Sequence, residues 1–458
     1  MAKMSAEMKK RERVRYFWRE IMLLVNIFLI TACFAIGWMH FYQKNLAVTY
    51  LQKGIAVIVL LYTVLYVMLG RVFLAFTINT PHKLEIIYGQ FLTEFSVDFI
   101  MYFVTFLLMK VFPYVWPMLL ILLVQLIVSI IWTYIVHTVY IKTVVPLKAL
   151  VIWDNRDYFD ELYESYSKDH RFKIVGSRHI SECIDHYDEV LKGIEVVMLI
   201  GVHSHPRNKM LKYCIGNDIK MFIVPRVGDI VMSGAKRIHI LNFPTAYIER
   251  YNPSPMYTII KRSFDILSSA IMLLITSPIM LIVALLIKRD GGSVLYKQNR
   301  LTKNGKVFQL LKFRSMKMDA ESDGIARLSS GVHDDRVTPV GKIIRKYRID
   351  ELPQLINIIK GDMSVVGPRP ERPEIAEQYE KSLPEFSFRL QTKAGLTGLA
   401  QVYGKYNTNP NAKLIMDLQY IAKASVIEDL SIIFATIKVL FQKDSTDGVK
   451  HGQTTALR

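Results

Sequence analysis

The sequence is poor in cysteine, with only three among its 458 residues. Cys33, Cys183 and Cys214 are odd in number and widely separated. A disulfide framework requires paired cysteines and a zinc site requires closely spaced ligands, so the sequence predicts neither. We therefore expect the three side chains to be ordinary apolar residues of the interior.

A particular glycine is also missing from the segment 147–240. Its apolar runs KALVIW, EVVMLI and MFIVP are separated by polar helical stretches, which predicts a small doubly wound α/β domain. The turn after the first run, 153–155, lacks the glycine that a dinucleotide-binding fold requires. We therefore predict a Rossmann-like domain without a bound nucleotide. His203 and His205 have no neighbours that complete a metal site, which favours a solvated loop.

Charged residues are nearly absent from four apolar runs, 21–39, 54–69, 95–109 and 115–136. Each run, with its flanks, supplies about the twenty residues that a helix needs to cross a bilayer. The segment 1–140 is therefore predicted to be a transmembrane four-helix region with its basic N-terminus in the cytoplasm. Glu94 and Asp98 are expected to face neighbouring helices or the interface.

The net charge of +18 indicates an anionic partner, either nucleic acid or a membrane surface. Because of the apolar runs the membrane is favoured, and no nucleic-acid partner is predicted. A transporter that uses Glu94 and Asp98 is an alternative. The small number of spans and the absence of paired broken helices argue against it.

A fifth apolar run, 264–287, is interrupted by Ser277-Pro278 and has a basic pair on each side. A spanning helix would leave one basic pair on the outer face, whereas a re-entrant hairpin keeps both in the cytoplasm. Proline removes a helical hydrogen bond, and a serine hydroxyl can satisfy the freed backbone group. We predict a re-entrant helix over 259–288, with a kinked spanning helix as the alternative.

Two further runs, VLYKQNR and KVFQLLKFRSM, flank Asn304-Gly305, which predicts a β-hairpin. Lys312 and Arg314 share a face of the second strand, because side chains alternate along a strand. The polar stretch 319–335 is predicted to be a mobile loop. A helix over 341–349 is expected next, AGLTGLAQ at 394–401 is expected to be a tight glycine loop, and two amphipathic helices are expected over 413–440.

The segment 345–372 contains two adjacent carboxylates, Asp350 and Glu351, just before Pro353. Apolar residues at helical spacing follow, and Gly361 ends the run, which places the pair at a helix N-terminus. Four arginines stand nearby in the sequence: Arg345, Arg348, Arg369 and Arg372. This combination is typical of a site for a phosphate ester and a divalent cation. The alternative is a helix cap beside a solvated basic face.

Five features in this order resemble the bacterial sugar transferases, which start capsule, exopolysaccharide and O-antigen units on a polyprenyl phosphate. They are KFRSM, DELPQL, GDMSVVGPRPE, GLTGLAQ and the spaced Asp417, Tyr420 and Asp429, and they cover about 259–441. The N-terminal membrane segments and α/β domain look like the large form of the family. The resemblance implies an α/β membrane protein whose α+β catalytic domain, 256–443, contains the re-entrant helix and precedes a flexible tail, 444–458.

The resemblance also implies residue roles. The aspartate that matches Asp350 is the nucleophile, and the glutamate that matches Glu351 holds Mg²⁺. The arginine that matches Arg369 contacts phosphate, and Ser277-Pro278 breaks the membrane helix. Four other residues are expected to bind phosphate or substrate: Arg345, Lys312, Arg314 and Asp417.

The implied reaction transfers a sugar-1-phosphate from a UDP-sugar to undecaprenyl phosphate in two displacements, at the cytoplasmic face of the bacterial inner membrane. Glucose is the first expectation for the sugar and galactose the second, and a homodimer is left open. Two positions depart from the family: Leu301-Thr302 replaces the usual glycine after the first strand, and Arg348 replaces a small or hydroxyl residue. The rival interpretation is a non-catalytic membrane scaffold or regulator of polysaccharide assembly.

Overall fold

A computed structural model describes residues 2–46, 52–78, 83–143, 145–154, 159–184, 186–240, 243–289, 291–317, 336–404 and 409–440. The chain divides into two compact units, Met1–Val224 and Pro225–Arg458. The loop predicted over 319–335 and the tail predicted over 444–458 lie outside the described residues.

Four long helices begin the first unit: α1 (Ala2–Phe41), α2 (Gln52–Val72), α3 (Lys83–Met109) and α4 (Trp116–Thr143). Each contains a stretch long and apolar enough to cross a membrane, which confirms the four predicted apolar helices. Aromatic side chains fill the space between them, and the rings of Phe34 and Tyr62 stack with centroids 4.0 Å apart.

A parallel sheet follows in the order β2-β1-β3-β4. Its elements are β1 (Leu147–Trp153), α5 (Phe159–Ser167), β2 (Phe172–His179), α6 (Ile180–Cys183), α7 (Tyr187–Val190), β3 (Val196–Ile200), α8 (Ser204–Gly216) and β4 (Lys220–Ile223). All three strand pairs are parallel, and doubly wound domains have a strand order of this kind. The edge strand β2 was missing from the prediction, because half of its residues face outward and it does not form an apolar run.

The second unit begins with α9 (Val227–Ser233) and an antiparallel pair, β5 (Lys236–Ile240) and β6 (Phe243–Tyr247). Val227 and Ile230 pack into the core of this unit. The α/β domain was predicted to extend to residue 240, whereas the structure groups 225–240 with the second unit because α9 buries its apolar side chains there.

The fifth long apolar helix is α10 (Pro255–Arg289), which continues through Pro278. One stripe of this helix packs on the rest of the unit. Asp265 accepts hydrogen bonds from the Val365 backbone N–H (2.9 Å) and from Ser364 (3.1 Å). Near the other end, Val283 and Ile287 join an apolar cluster with residues of the following strand and helix. Both halves of the helix therefore contact the same unit.

The remaining elements form the body of this unit. They are β7 (Leu295–Leu301), β8 (Val307–Phe313), α11 (Pro339–Lys346), α12 (Gln354–Lys360), β9 (Met363–Val366), α13 (Pro373–Ser382), β10 (Ala394–Thr397), α14 (Leu399–Tyr403), α15 (Pro410–Lys423) and α16 (Val426–Leu440). Strands β7 and β8 form the predicted hairpin, with Asn304 at φ 61° and Gly305 at φ 74° in its turn.

Two local predictions require correction. The GLTGLAQ segment was expected to be a glycine loop, but it forms β10, parallel to β9, and the start of α14. The glycines allow this pairing, because a Cβ on Gly395 would lie 2.1 Å from the backbone N of Gly367. The helix expected over 341–349 ends earlier, because Arg348 adopts φ 53°.

Candidate active site

The acid pair lies on a short 3₁₀ turn, Ile349–Glu351, between α11 and α12. Arg348 precedes this turn in the left-handed region, which redirects the chain after α11. Asp350 is buried, with 9% of its surface exposed. Pro353 comes directly before α12, and Gly361 ends that helix at φ 95°, as its position in the sequence predicts.

The Asn357 side chain connects α12 to β8 through two hydrogen bonds. The Asn357 side chain accepts a hydrogen bond from the Leu311 backbone N–H (3.0 Å) and donates one to the Gln309 carbonyl (2.9 Å). This fixes the next residue of the strand, Lys312, beside the acid pair. Its Nζ lies 3.5 Å from Glu351 Oε1.

A second cation reaches the same oxygen from the Pro-Arg-Pro turn. Arg369 Nη2 donates to Glu351 Oε1 at 3.0 Å. The turn begins at Gly367, where a Cβ would lie 2.4 Å from the Lys393 carbonyl oxygen, so a larger residue would push the turn away. Backbone packing therefore sets the position of Arg369.

A buried ion pair supports this turn from behind. Arg389 Nη2 donates to the Arg369 carbonyl at 2.8 Å, and Arg389 Nε donates to Asp417 Oδ2 at 2.8 Å. Asp417 has 1% of its surface exposed, and burial raises the pKa of its carboxyl although Arg389 opposes the rise. Asp417 thus acts on the turn through Arg389.

The two acids of the pair have pKa values displaced in opposite directions. Burial, reinforced by the charge of Glu351, raises the pKa of Asp350 to about 6, against the opposing effect of Lys312 and Arg345. Burial also acts to raise the pKa of Glu351, but the charges of Arg369 and Lys312 outweigh it and hold this pKa well below its usual value. Adjacent acids that differ in this way are suited to different chemical roles.

Two arginines of this unit each have a buried N–H group that retains hydrogen-bonding capacity. Arg345 Nη1 and Arg314 Nε are buried N–H groups with no hydrogen-bond acceptor among the described residues. Buried donors are normally satisfied, so each could donate to an oxygen of a bound anion. The arrangement can therefore present a carboxylate nucleophile to a phosphorus atom and surround the phosphate oxygens with cations.

Comparisons with known proteins agree with this chemistry. The family model described as bacterial sugar transferase matches residues 256–443. The chain is 42% identical over 192 residues to the UDP-N-acetylgalactosamine-undecaprenyl-phosphate N-acetylgalactosaminephosphotransferase of Aeromonas hydrophila, covering 41% of this chain and 45% of that protein. It is 39% identical over 191 residues to the UDP-glucose:undecaprenyl-phosphate glucose-1-phosphate transferase of Caulobacter vibrioides, covering 40% of this chain and 71% of that protein.

The chain belongs to the bacterial sugar transferase family. A third relative, the undecaprenyl-phosphate galactose phosphotransferase of Salmonella typhimurium, is 37% identical over 198 residues, covering 40% of this chain and 41% of that protein. The match thus spans less than half the length of the Aeromonas and Salmonella relatives. In all three comparisons the match covers about 40% of this chain.

The acid pair of this chain is compatible with Mg²⁺. Among its described residues, no group of three or more His, Cys, Asp or Glu side chains could hold a metal by itself. Mg²⁺ is commonly bound through one or two carboxylates together with substrate phosphates and water. Asp350 and Glu351 supply such a partial donor set, and Glu351 is the acid whose neighbours keep it ionised.

The structure places the predicted site residues in three groups. Lys312, Arg369 and the acid pair are close together, and Arg345 interacts electrostatically with Asp350. Arg314 is directed instead toward the end of α10, where its Nη2 donates to the Ile287 carbonyl at 3.2 Å. Asp417 lies behind the Pro-Arg-Pro turn.

Ser277 and Pro278 lie within α10, and Ser277 Oγ donates to the Leu274 carbonyl at 2.7 Å. This hydrogen bond keeps the serine hydroxyl satisfied within its own helix. A straight helix of 35 residues would be about 50 Å long, longer than a bilayer core of about 30 Å. The re-entrant arrangement stays a prediction.

The residues that hold the Pro-Arg-Pro turn in place were not predicted from the sequence. Arg300 Nη1 donates to the Pro370 carbonyl at 3.0 Å, and Glu371 lies 3.6 Å from Arg389. The available signal was the position of Glu371 directly after the Pro-Arg-Pro turn. Thr302, which departs from the family glycine, is extended and donates to the Asp362 carbonyl at 2.8 Å, so this turn does not require glycine.

Proposed function

We propose that this chain transfers a hexose-1-phosphate from a UDP-sugar to undecaprenyl phosphate and releases UMP, through a phosphosugar covalently bound to Asp350. The observation that carries the proposal is the acid pair, in which Glu351 forms ion pairs with two cations and Asp350 forms none with the residues that the structure describes. Membership of the sugar transferase family and the activities named for the relatives support the reaction class.

In the first displacement, a carboxylate oxygen of Asp350 forms a bond to the phosphorus that carries the sugar. The bond from that phosphorus to the bridging oxygen of the diphosphate breaks, and UMP leaves with that oxygen. Lys312 and Arg369, fixed beside Glu351, stabilise the negative charge on the phosphate oxygens. Glu351 is the residue that would hold Mg²⁺, whose charge, when it is bound, neutralises the diphosphate.

In the second displacement, a phosphate oxygen of undecaprenyl phosphate attacks the same phosphorus. The bond between Asp350 and phosphorus breaks, which restores the carboxylate and leaves a sugar diphosphate lipid. Two displacements allow the soluble donor and the lipid acceptor to be used one after the other. Arg345, whose charge acts on Asp350, is proposed to donate to a phosphate oxygen through Nη1, which has no acceptor among the described residues.

We also propose that the site lies at the cytoplasmic face of a bacterial inner membrane, with α10 entering and leaving on that face. Arg262 at one end of the apolar run donates to the Ile358 and Ile359 carbonyls at the end of α12 (2.7 and 2.8 Å). Ile287, near the other end, packs with Phe313. Two ends held by one domain favour a single side of the membrane.

In a cysteine-free background, Met256→Cys and Arg289→Cys should both resist an impermeant thiol reagent in intact cells. Labelling of either position would favour a spanning helix.

The sugar is proposed to be glucose, with galactose as the alternative. The relatives named above act on N-acetylgalactosamine, galactose and glucose, so similarity alone does not select one.

The test is to incubate the purified full-length protein with each UDP-sugar and measure lipid-linked sugar and UMP with and without undecaprenyl phosphate. One UDP-hexose should yield lipid product, and Asp350→Asn should abolish it. A folded protein that processes none of the donors would favour the scaffold interpretation.

A further inference from the structure

A ladder of polar side chains joins α3 to α4 inside the membrane bundle. Thr133 donates to Gln90 Oε1 at 3.1 Å, and one helical turn farther along α3, Ser129 donates to Glu94 Oε1. The two helices run antiparallel, so the same spacing places Asp98 opposite Gln125 as the next pair, or rung. All of these residues are buried inside the bundle.

The third rung is not closed. Gln125 directs its amide N–H to the Tyr62 hydroxyl at 2.8 Å. Asp98 has 2% of its surface exposed, and within the described residues no donor meets hydrogen-bond geometry with either of its carboxylate oxygens. The same holds for Glu94 Oε2 and Gln125 Oε1. Four buried acceptor oxygens therefore have no well-formed hydrogen bond in the part of the chain that the structure describes.

No lysine or arginine among the described residues forms an ion pair with Glu94 or Asp98. Inside a bilayer there is no bulk water to solvate such oxygens, and an isolated ionised carboxylate is strongly unfavourable. A positive charge among these oxygens would both satisfy the unsolvated acceptors and offset the cost of an ionised carboxylate. A monovalent ion is favoured over a divalent one, because the desolvation cost of an ion rises with the square of its charge.

We propose that Asp98 and Glu94 bind a small monovalent cation, Na⁺, within the four-helix bundle, with Gln125 Oε1 as a neutral ligand. One such ion and one proton retained by the two acids make the site electrically neutral. The site stabilises the packing of α3 against α4 and is independent of the transfer reaction.

The test uses the full-length protein in lipid nanodiscs, with Cys183 and Cys214 replaced by alanine. Cys33 on α1 is then the only thiol, and its reaction with a fluorogenic maleimide reports unfolding of the bundle. Unfolding is recorded as Na⁺ replaces choline at constant ionic strength and pH. Na⁺ at about 100 times its dissociation constant should raise the unfolding temperature by several degrees.

Asp98→Asn keeps the shape but removes the charge, so this variant should lose the Na⁺ response while remaining stable in choline. Glu94→Gln should weaken the response. Glu85→Gln, which removes an acid from the first turn of the same helix, serves as the matched control and should respond like the parent protein. The proposal is overturned if the parent protein shows no Na⁺ dependence, or if its stability changes with pH alone, which would identify a pair of neutral acids.

Discussion

The membrane bundle and the candidate active site each contain a pair of neighbouring carboxylates with little exposed surface, but the two pairs have different surroundings. Glu94 and Asp98 lie one turn apart on a regular helix among neutral polar side chains. Asp350 and Glu351 are adjacent on a 3₁₀ turn, and cations lie beside them. The comparison teaches that burial by itself does not prepare an acid for catalysis. Cations that other elements hold in place separate the roles of the two acids.

The largest expected effect comes from substitution of Asp350 in the candidate active site. Asp350→Asn should lower the rate of sugar-phosphate transfer by at least about 10³-fold, because the neutral amide cannot attack phosphorus. Glu374→Gln, which changes an exposed acid on α13 in the same way, should retain nearly the parent rate. Rates are compared at saturating donor and lipid. A loss below about tenfold would remove Asp350 from the role of nucleophile.

Removing the Arg369 charge should leave the acid pair of the candidate active site with fewer neighbouring cations, as in the membrane bundle. Arg369→Met deletes the charge nearest to Glu351 and should lower transfer by about 10²-fold, the loss typical of one preorganised donor. Lys381→Met removes an exposed positive charge at the end of α13 and is the control. Equal effects of the two substitutions would mean that overall charge, and not the fixed contact, matters.

The pH dependence should follow Asp350. Its raised pKa of about 6 means that acid protonates the nucleophile, so the rate should fall about tenfold per pH unit below that value. Arg369 acts to lower the pKa of Asp350, so Arg369→Met should move the midpoint upward. Exchange of labelled UMP into the UDP-sugar gives the profile. An unchanged rate down to pH 5 would contradict the assignment.

The smallest expected effect concerns the residue before the turn. Arg348 adopts φ 53°, which costs about 1 kcal/mol for a residue with a side chain. Arg348→Gly should therefore raise the unfolding temperature by about 2–4 °C. Arg348→Ala removes the same charge but keeps the Cβ, so it should show no such gain. Identical unfolding temperatures for the two variants would exclude backbone strain.

Features that depend on local patterns could be predicted from the sequence. The four membrane helices follow from apolar runs, and the hairpin turn follows from Asn304-Gly305, because each signal lies within a few neighbouring residues. Lys312, Arg369 and the acid pair were each proposed from sequence, and the structure brings them together.

The remainder depends on contacts between distant segments. Asp417, predicted to bind substrate, pairs with Arg389 behind the Pro-Arg-Pro turn, and no local pattern joins α15 to that turn. The segment of Gly395 was expected to be a loop, because its pairing with β9 depends on the close approach of two backbones. The open rung at Asp98 likewise depends on where Gln125 directs its amide.

The central claim is that Asp350 carries the phosphosugar. The direct measurement incubates the purified protein briefly with its UDP-sugar and no lipid acceptor, then identifies modified peptides by mass spectrometry. We expect a hexose-phosphate adduct on Asp350, absent from Asp350→Asn, together with exchange of labelled UMP into the donor. An active preparation that shows neither adduct nor exchange would contradict it and indicate direct transfer from donor to lipid.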